Sequence, residues 1–171
     1  QIRLGTPLDF MAVTDHAEML GVARAMGDPD NPLSKEPVAA GITSLDFETS
    51  QQTFRGLVTQ HAQSAVTDLV RIASSAGALQ AGTQAWRMLV EAAEAHYQPG
   101  TFTTFVAYEW SSMPNLANLH RNVVFRGTRL PERPFSSMDS NRPEELWAFL
   151  DDWRAGGGDD AIFGGGGGFS G

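Results

Sequence analysis

Short runs of β-forming residues alternate with longer stretches of helical spacing along this chain. Leu8-Asp-Phe-Met-Ala-Val13 predicts a buried, largely apolar strand that stops abruptly at Thr14-Asp15-His16. Asp28 to Pro37, with three prolines among turn formers, predicts a loop. Between 51 and 76, Phe54, Leu57, Val58, Ala62, Ala65, Val66, Leu69, Val70 and Ile72 recur at helical intervals. A second helix is predicted over Thr83–His96, with Trp86, Leu89, Val90 and Ala93 on one stripe, and Gln98-Pro-Gly100 breaks it.

Thr101–Tyr108 is rich in β-formers and predicts a strand leading into Glu109-Trp110. A polar loop, Ser111–Asn118, follows, and then a strand over His120–Gly127. Arg142–Trp153 carries Pro near its start and acids in its first turn, so it predicts a helix. Ala161-Ile-Phe163 predicts the start of one more strand. Strands alternating with helices point to an α/β sheet or barrel. Trp86, Trp147 and Trp153, at helical spacing, are expected in the core.

Composition narrows the chemistry. At 171 residues, one domain with a real core is the default, and 42% hydrophobic with 19% charged residues is ordinary for a globular protein. A net charge of −8 argues against a general nucleic-acid binder. There are no cysteines, so disulfides and thiolate metal sites are excluded and any metal must use His, Asp or Glu. No apolar run approaches the roughly 20 residues of a membrane span, and no secretory signal pattern is visible. Neither observation assigns a compartment or an oligomeric state.

Three segments carry an ionisable group at or beside a predicted strand end: Asp15-His16, Glu109 and His120. Imidazole and carboxylate together can bind a divalent ion or move a proton. On spacing alone His16 is as well explained as a hydrogen-bonded core histidine, and His120 as a strand-terminal polar residue. Glu109, between Tyr108 and Trp110, calls for a partner because a buried carboxylate is costly alone. His61 and His96 lie on helical stretches and are read as solvated. Arg121 and Arg126 are candidate phosphate contacts, although Arg126 is equally explained as flanking a turn.

The segments "PLDFMAVTDHAEMLG", "PGTFTTFVAYEWSS", "NLHRNVVFRG" and "PFSSMDSNRPEELW" resemble, in order, a bacterial branch of the PHP superfamily (polymerase and histidinol phosphatase). That branch is catalogued as domain of unknown function 3604. The resemblance covers most of the chain and is weakest over 38–80. It implies a distorted (β/α)7 barrel with two or three divalent ions, Zn, Mn or Fe, at the C-terminal strand ends. It also implies phosphoester hydrolysis of a small, anionic substrate by a metal-bound hydroxide. His16 matches a metal-binding histidine, with Asp15 beside it as a ligand or orienting carboxylate. Glu109 matches a metal-bridging carboxylate and His120 a further ligand, while Arg121 would offset phosphate charge. Export or a periplasmic location would be in keeping with that branch.

Two departures from the family pattern stand out. Its His-x-His motif would lie upstream of Gln1, and its Asp-x-His motif would lie further downstream, so the chain reads as the central part of a longer protein. A family strand of the type Ala-Ile-Pro-His-Asn is matched here by Ala161-Ile-Phe, then the glycine run Gly164–Gly168, then Phe169-Ser170. The run is readable as a flexible linker or as a phosphate loop without its Lys. The preferred reading is that glycine stands in for other side chains, with Gly164 at the position of a ligand histidine. Two alternatives remain open: a metallohydrolase of a non-phosphate substrate, and a non-catalytic metal-binding or structural barrel.

Overall fold

The computed structural model describes residues 5–59, 71–112 and 119–166. These form strand β1 (Phe10–Ala12), helices α1 (Val22–Met26), α2 (Ala39–Ile42), α3 (Phe47–Thr59) and α4 (Ala76–His96), and strands β2 (Thr103–Phe105), β3 (Ala107–Ser112) and β4 (Leu119–Phe125). Helix α5 (Pro143–Ala155) and strand β5 (Ala161–Gly166) follow. The chain divides into two compact units, 1–17 with 87–171, and 18–86.

The smaller unit is helical. Val22, Ala25, Met26, Leu33, Ala39, Ile72, Ala78 and Ala81 form its buried cluster. Within the predicted 28–37 loop, Pro32–Lys35 makes a 3-10 turn capped by the Asn31 side chain, which accepts from the Leu33 amide at 3.0 Å. Gly21, at φ 73°, precedes α1 and lies so close to α4 that a Cβ there would stand 2.7 Å from the Ala81 carbonyl oxygen. The helix expected over 51–76 is observed as α3 and a helical stretch at 71–73, with 60–70, His61 included, outside the described residues. Helix α4 begins at Ala76 rather than Thr83; its first turns bury Ala78 and Ala81, side chains too small to mark an apolar stripe in the sequence.

The larger unit holds two small sheets. One is the parallel pair β1–β2, and the other is antiparallel in the order β3–β4–β5. No closed barrel forms among the described residues, so the expected (β/α)7 barrel is corrected to a small α/β fold. The physical reason lies in the connections. Only six residues, 113–118, join β3 to β4, whereas a parallel crossover needs a dozen or more. That link therefore returns the chain antiparallel.

Strand alternation sorts the β3–β4 pair into two faces. Tyr108, Trp110 and Ser112 are buried on one, and across from them stand Val123 and Arg121. Glu109 and Ser111 lie on the other, across from Asn122 and His120. That second face is open at its β5 edge, where Ile162, which pairs with Val124, is 73% exposed, and closed at Ala107, which is fully buried. In helix α5, Pro143 occupies the first turn with Glu144 and Glu145, as predicted, and Leu146 and Leu150 are buried.

Two burial expectations are corrected. Strand β1 is not buried: Phe10 is 66% exposed and Met11 47%, because among the described residues the faces of the two-stranded β1–β2 sheet are left largely uncovered. Trp147 points outward at 37% exposure, whereas Trp86 is buried and Trp153 half-buried. The expected 101–108 strand is interrupted at Val106, between β2 and β3.

Candidate metal centre

The chain from β1 to His16 runs beside the chain from β2 into β3 in one unbroken parallel register. Phe10 pairs with Thr103, and the same register brings His16 opposite Glu109. Two backbone hydrogen bonds fasten this end. The Glu109 amide donates to the Asp15 carbonyl at 2.8 Å, and the Ala17 amide donates to the Glu109 carbonyl at 2.7 Å. On the other side of Glu109, the β3–β4 hairpin pairs Ser111 with His120. Three separate segments thereby deliver His16, Glu109 and His120 to one face.

A single carboxylate oxygen organises the group. Glu109 Oε2 lies 3.0 Å from His16 Nδ1 and 3.3 Å from His120 Nδ1. The imidazole centroids are 5.6 Å apart with their planes at 55°. One donor atom from each of the three residues lies within 4.8 Å of the others, close enough to hold a metal ion. Donor atoms around an ion with bonds of about 2.0–2.2 Å stand about 2.8–3.1 Å apart in octahedral and 3.3–3.6 Å in tetrahedral arrays. The two Nδ1–Oε2 separations fall within these spans, and two nitrogens with one carboxylate oxygen suit Zn, Mn or Fe. Both imidazoles face the same oxygen, so the three donor atoms converge on one point.

The surroundings are graded. His16 is 58% exposed at its side chain, whereas Glu109 is 19% and His120 24% exposed. The carboxylate is thus largely shielded from solvent on its own face of the sheet, and His16 is the most exposed of the three side chains. An apolar groove lined by Met11, Val13, Leu89, Ala93, Phe102 and Phe105 in the same unit includes none of the three residues.

The other predicted residues are placed elsewhere. Asp15 contributes its backbone carbonyl, and its side chain is exposed. Arg121 stands across from Trp110, on the opposite face of the hairpin from the cluster, and donates to the His120 carbonyl oxygen at 2.8 Å. Arg126 is exposed, with its amide bonded to the Asp160 carbonyl. His96 is exposed on α4, its Nδ1 2.8 Å from the Ala92 carbonyl oxygen. Gly164 pairs with Asn122 on the cluster's face, and a Cβ there would meet nothing within 4 Å. Residues 167–171 lie outside the described residues.

Sequence reasoning assigned Ser111 to a loop, yet it belongs to β3 and to the cluster. Its Oγ lies 2.8 Å from His16 Nδ1, 2.8 Å from His120 Nδ1 and 3.1 Å from Glu109 Oε2. The available signal was its position two residues beyond Glu109, which on a strand is the same face.

Among the described residues no helix is long and apolar enough to cross a membrane. No curated protein and no solved structure matches the chain. A family model described as Protein of unknown function (DUF3604) matches residues 1–163, and the chain belongs to that family.

Proposed function

We propose that this protein is a metal-dependent hydrolase whose substrates are phosphoesters, with His16, Glu109 and His120 holding a divalent ion. The observation that carries the reading is the meeting of one carboxylate oxygen and two imidazole nitrogens on one sheet face, with His16 exposed to solvent. The order of Thr14-Asp15-His16, Glu109 and His120 along the chain resembles the PHP superfamily, whose known chemistry is phosphoester hydrolysis, and this supports phosphoesters as the substrate class.

A bound ion would supply Lewis acidity, activating water at neutral pH and drawing charge from a phosphoryl oxygen. The protein's own part is positioning. Glu109 brings a carboxylate to the centre on a side chain that is only 19% exposed. His16 and His120 offer neutral nitrogen donors from opposite sides of that carboxylate. Arg121, across from Trp110 on the other face, bonds the His120 carbonyl oxygen and so steadies the backbone of β4 beside the cluster.

The test is metal content and hydrolysis of a generic phosphoester by the full chain and by Glu109→Gln. The variant should bind at least tenfold less metal and lose hydrolysis with it. Unchanged metal content in Glu109→Gln with retained hydrolysis would sink the proposal, leaving the cluster a hydrogen-bonded feature of the sheet.

A further inference from the structure

We propose that the Ser111 hydroxyl is a fourth donor to the divalent ion, a role that rests on the metal reading of His16, Glu109 and His120. Strand geometry places it there: Ser111 follows Glu109 by two residues on the same face and pairs directly with His120 across the hairpin. Its oxygen is 2.8 Å from each Nδ1 and 3.1 Å from Glu109 Oε2. With the two Nδ1–Oε2 approaches, four atoms make five contacts between 2.8 and 3.3 Å.

Hydrogen bonding alone does not fill these contacts. With the Glu109 carboxylate ionised, the four atoms carry at most three protons, one on each Nδ1 and one on Oγ. Two of the five contacts must therefore share a proton or bring lone pairs together. A cation inside the group satisfies all four lone pairs at once, and four of the five separations, 2.8–3.1 Å, are those of neighbouring ligands in an octahedral array, the fifth, His120 Nδ1 to Glu109 Oε2, being 3.3 Å. A serine hydroxyl is a hard oxygen donor of the kind that ligates Mg in phosphate-binding loops. It would complete a set of two nitrogens and two oxygens, shifting preference toward Mn or Mg relative to a site with three donors.

The chain contains no cysteine, so Ser111→Cys would introduce its sole thiol at the proposed ligand position. Cobalt(II) is the probe, added to the full chain and followed by absorption and by chelator competition. Wild type should bind cobalt without a thiolate band. Ser111→Cys should show a thiolate-to-cobalt charge-transfer band in the near ultraviolet. Ser111→Ala should bind cobalt about 10–100-fold more weakly, and Ser111→Thr should restore affinity to within a few-fold. Cobalt bound by Ser111→Cys with no charge-transfer band would overturn the inference while leaving the three-residue site standing. If Ser111→Cys fails to fold, unchanged affinity in Ser111→Ala overturns it instead. Absence of cobalt binding in wild type would remove the metal reading itself, and this inference with it.

Discussion

Glycine-to-alanine substitutions at positions 164 and 21 should move stability in opposite directions. At Gly164 the backbone is extended, within β5, and a Cβ would meet nothing within 4 Å. Alanine there loses no contact and restricts the unfolded chain, which is worth about 0.4–1 kcal/mol of stabilisation. At Gly21 the backbone lies at φ 73°, and a Cβ would stand 2.7 Å from both the Ala81 carbonyl oxygen and the Ala85 Cβ. The left-handed conformation costs an alanine about 1–2 kcal/mol, and forcing a carbon against packed backbone adds about 1–3 kcal/mol. After the same unfolded-state gain, Gly21→Ala should destabilise by about 2–4 kcal/mol. Urea unfolding followed by far-ultraviolet circular dichroism reads both. With a slope of about 2 kcal/mol/M, the midpoint should rise about 0.2–0.5 M for Gly164→Ala and fall about 1–2 M for Gly21→Ala. A destabilised Gly164→Ala, or a Gly21→Ala with unchanged midpoint and slope, would refute the reasoning for that position.

Three further outcomes are expected. Burial raises the Asp139 carboxyl, but hydrogen bonds from Arg133 and Ser136 outweigh it and hold the group below the usual Asp range. A folded pKa below the unfolded one adds stability above about pH 4 that disappears as pH falls through the folded value. Asp139→Asn should therefore cost about 1 kcal/mol at pH 7, discounted for partial exposure, and flatten the acid limb of a stability–pH profile. Leu146, fully buried on α5, should cost about 2–5 kcal/mol on truncation to alanine, read as a drop in the thermal midpoint. Saturating a site with divalent ion at about 100 times its Kd should raise the thermal midpoint roughly 5–10 °C, reversed by chelator and absent in His120→Ala.

Much of the site's chemistry could be read from residue order, and little of its geometry could. Thr14-Asp15-His16 after an apolar run, and Glu109 after a β-rich run, marked places where strands hand ionisable groups to their ends. Which residues meet there depends on register, and single-strand patterns do not specify partners. The pairing of Ser111 with His120 is of this kind, as is the placing of Arg121 away from its neighbour's face. Strand direction was inferable from the six-residue link at 113–118, but alternation of strands and helices left sheet and barrel open, and the family resemblance pointed to a barrel. Exposure of Phe10 and Trp147 had no signal, because an apolar side chain looks the same whether or not a neighbour covers it.

The register that carries Phe10 opposite Thr103 and His16 opposite Glu109 also locks two chain lengths together. Inserting or deleting one residue between Ala12 and His16 would leave β1 intact and turn the imidazole to the far face. A matched change between Phe105 and Glu109 would turn the carboxylate with it, at the expense of its approach to the His120 ring and its pairing with Asn122. Evolution can thus resize loops elsewhere in this unit, but these two short segments should keep constant length among family members that retain both residues. A gap in an alignment at either place would mark relatives that have given up the centre.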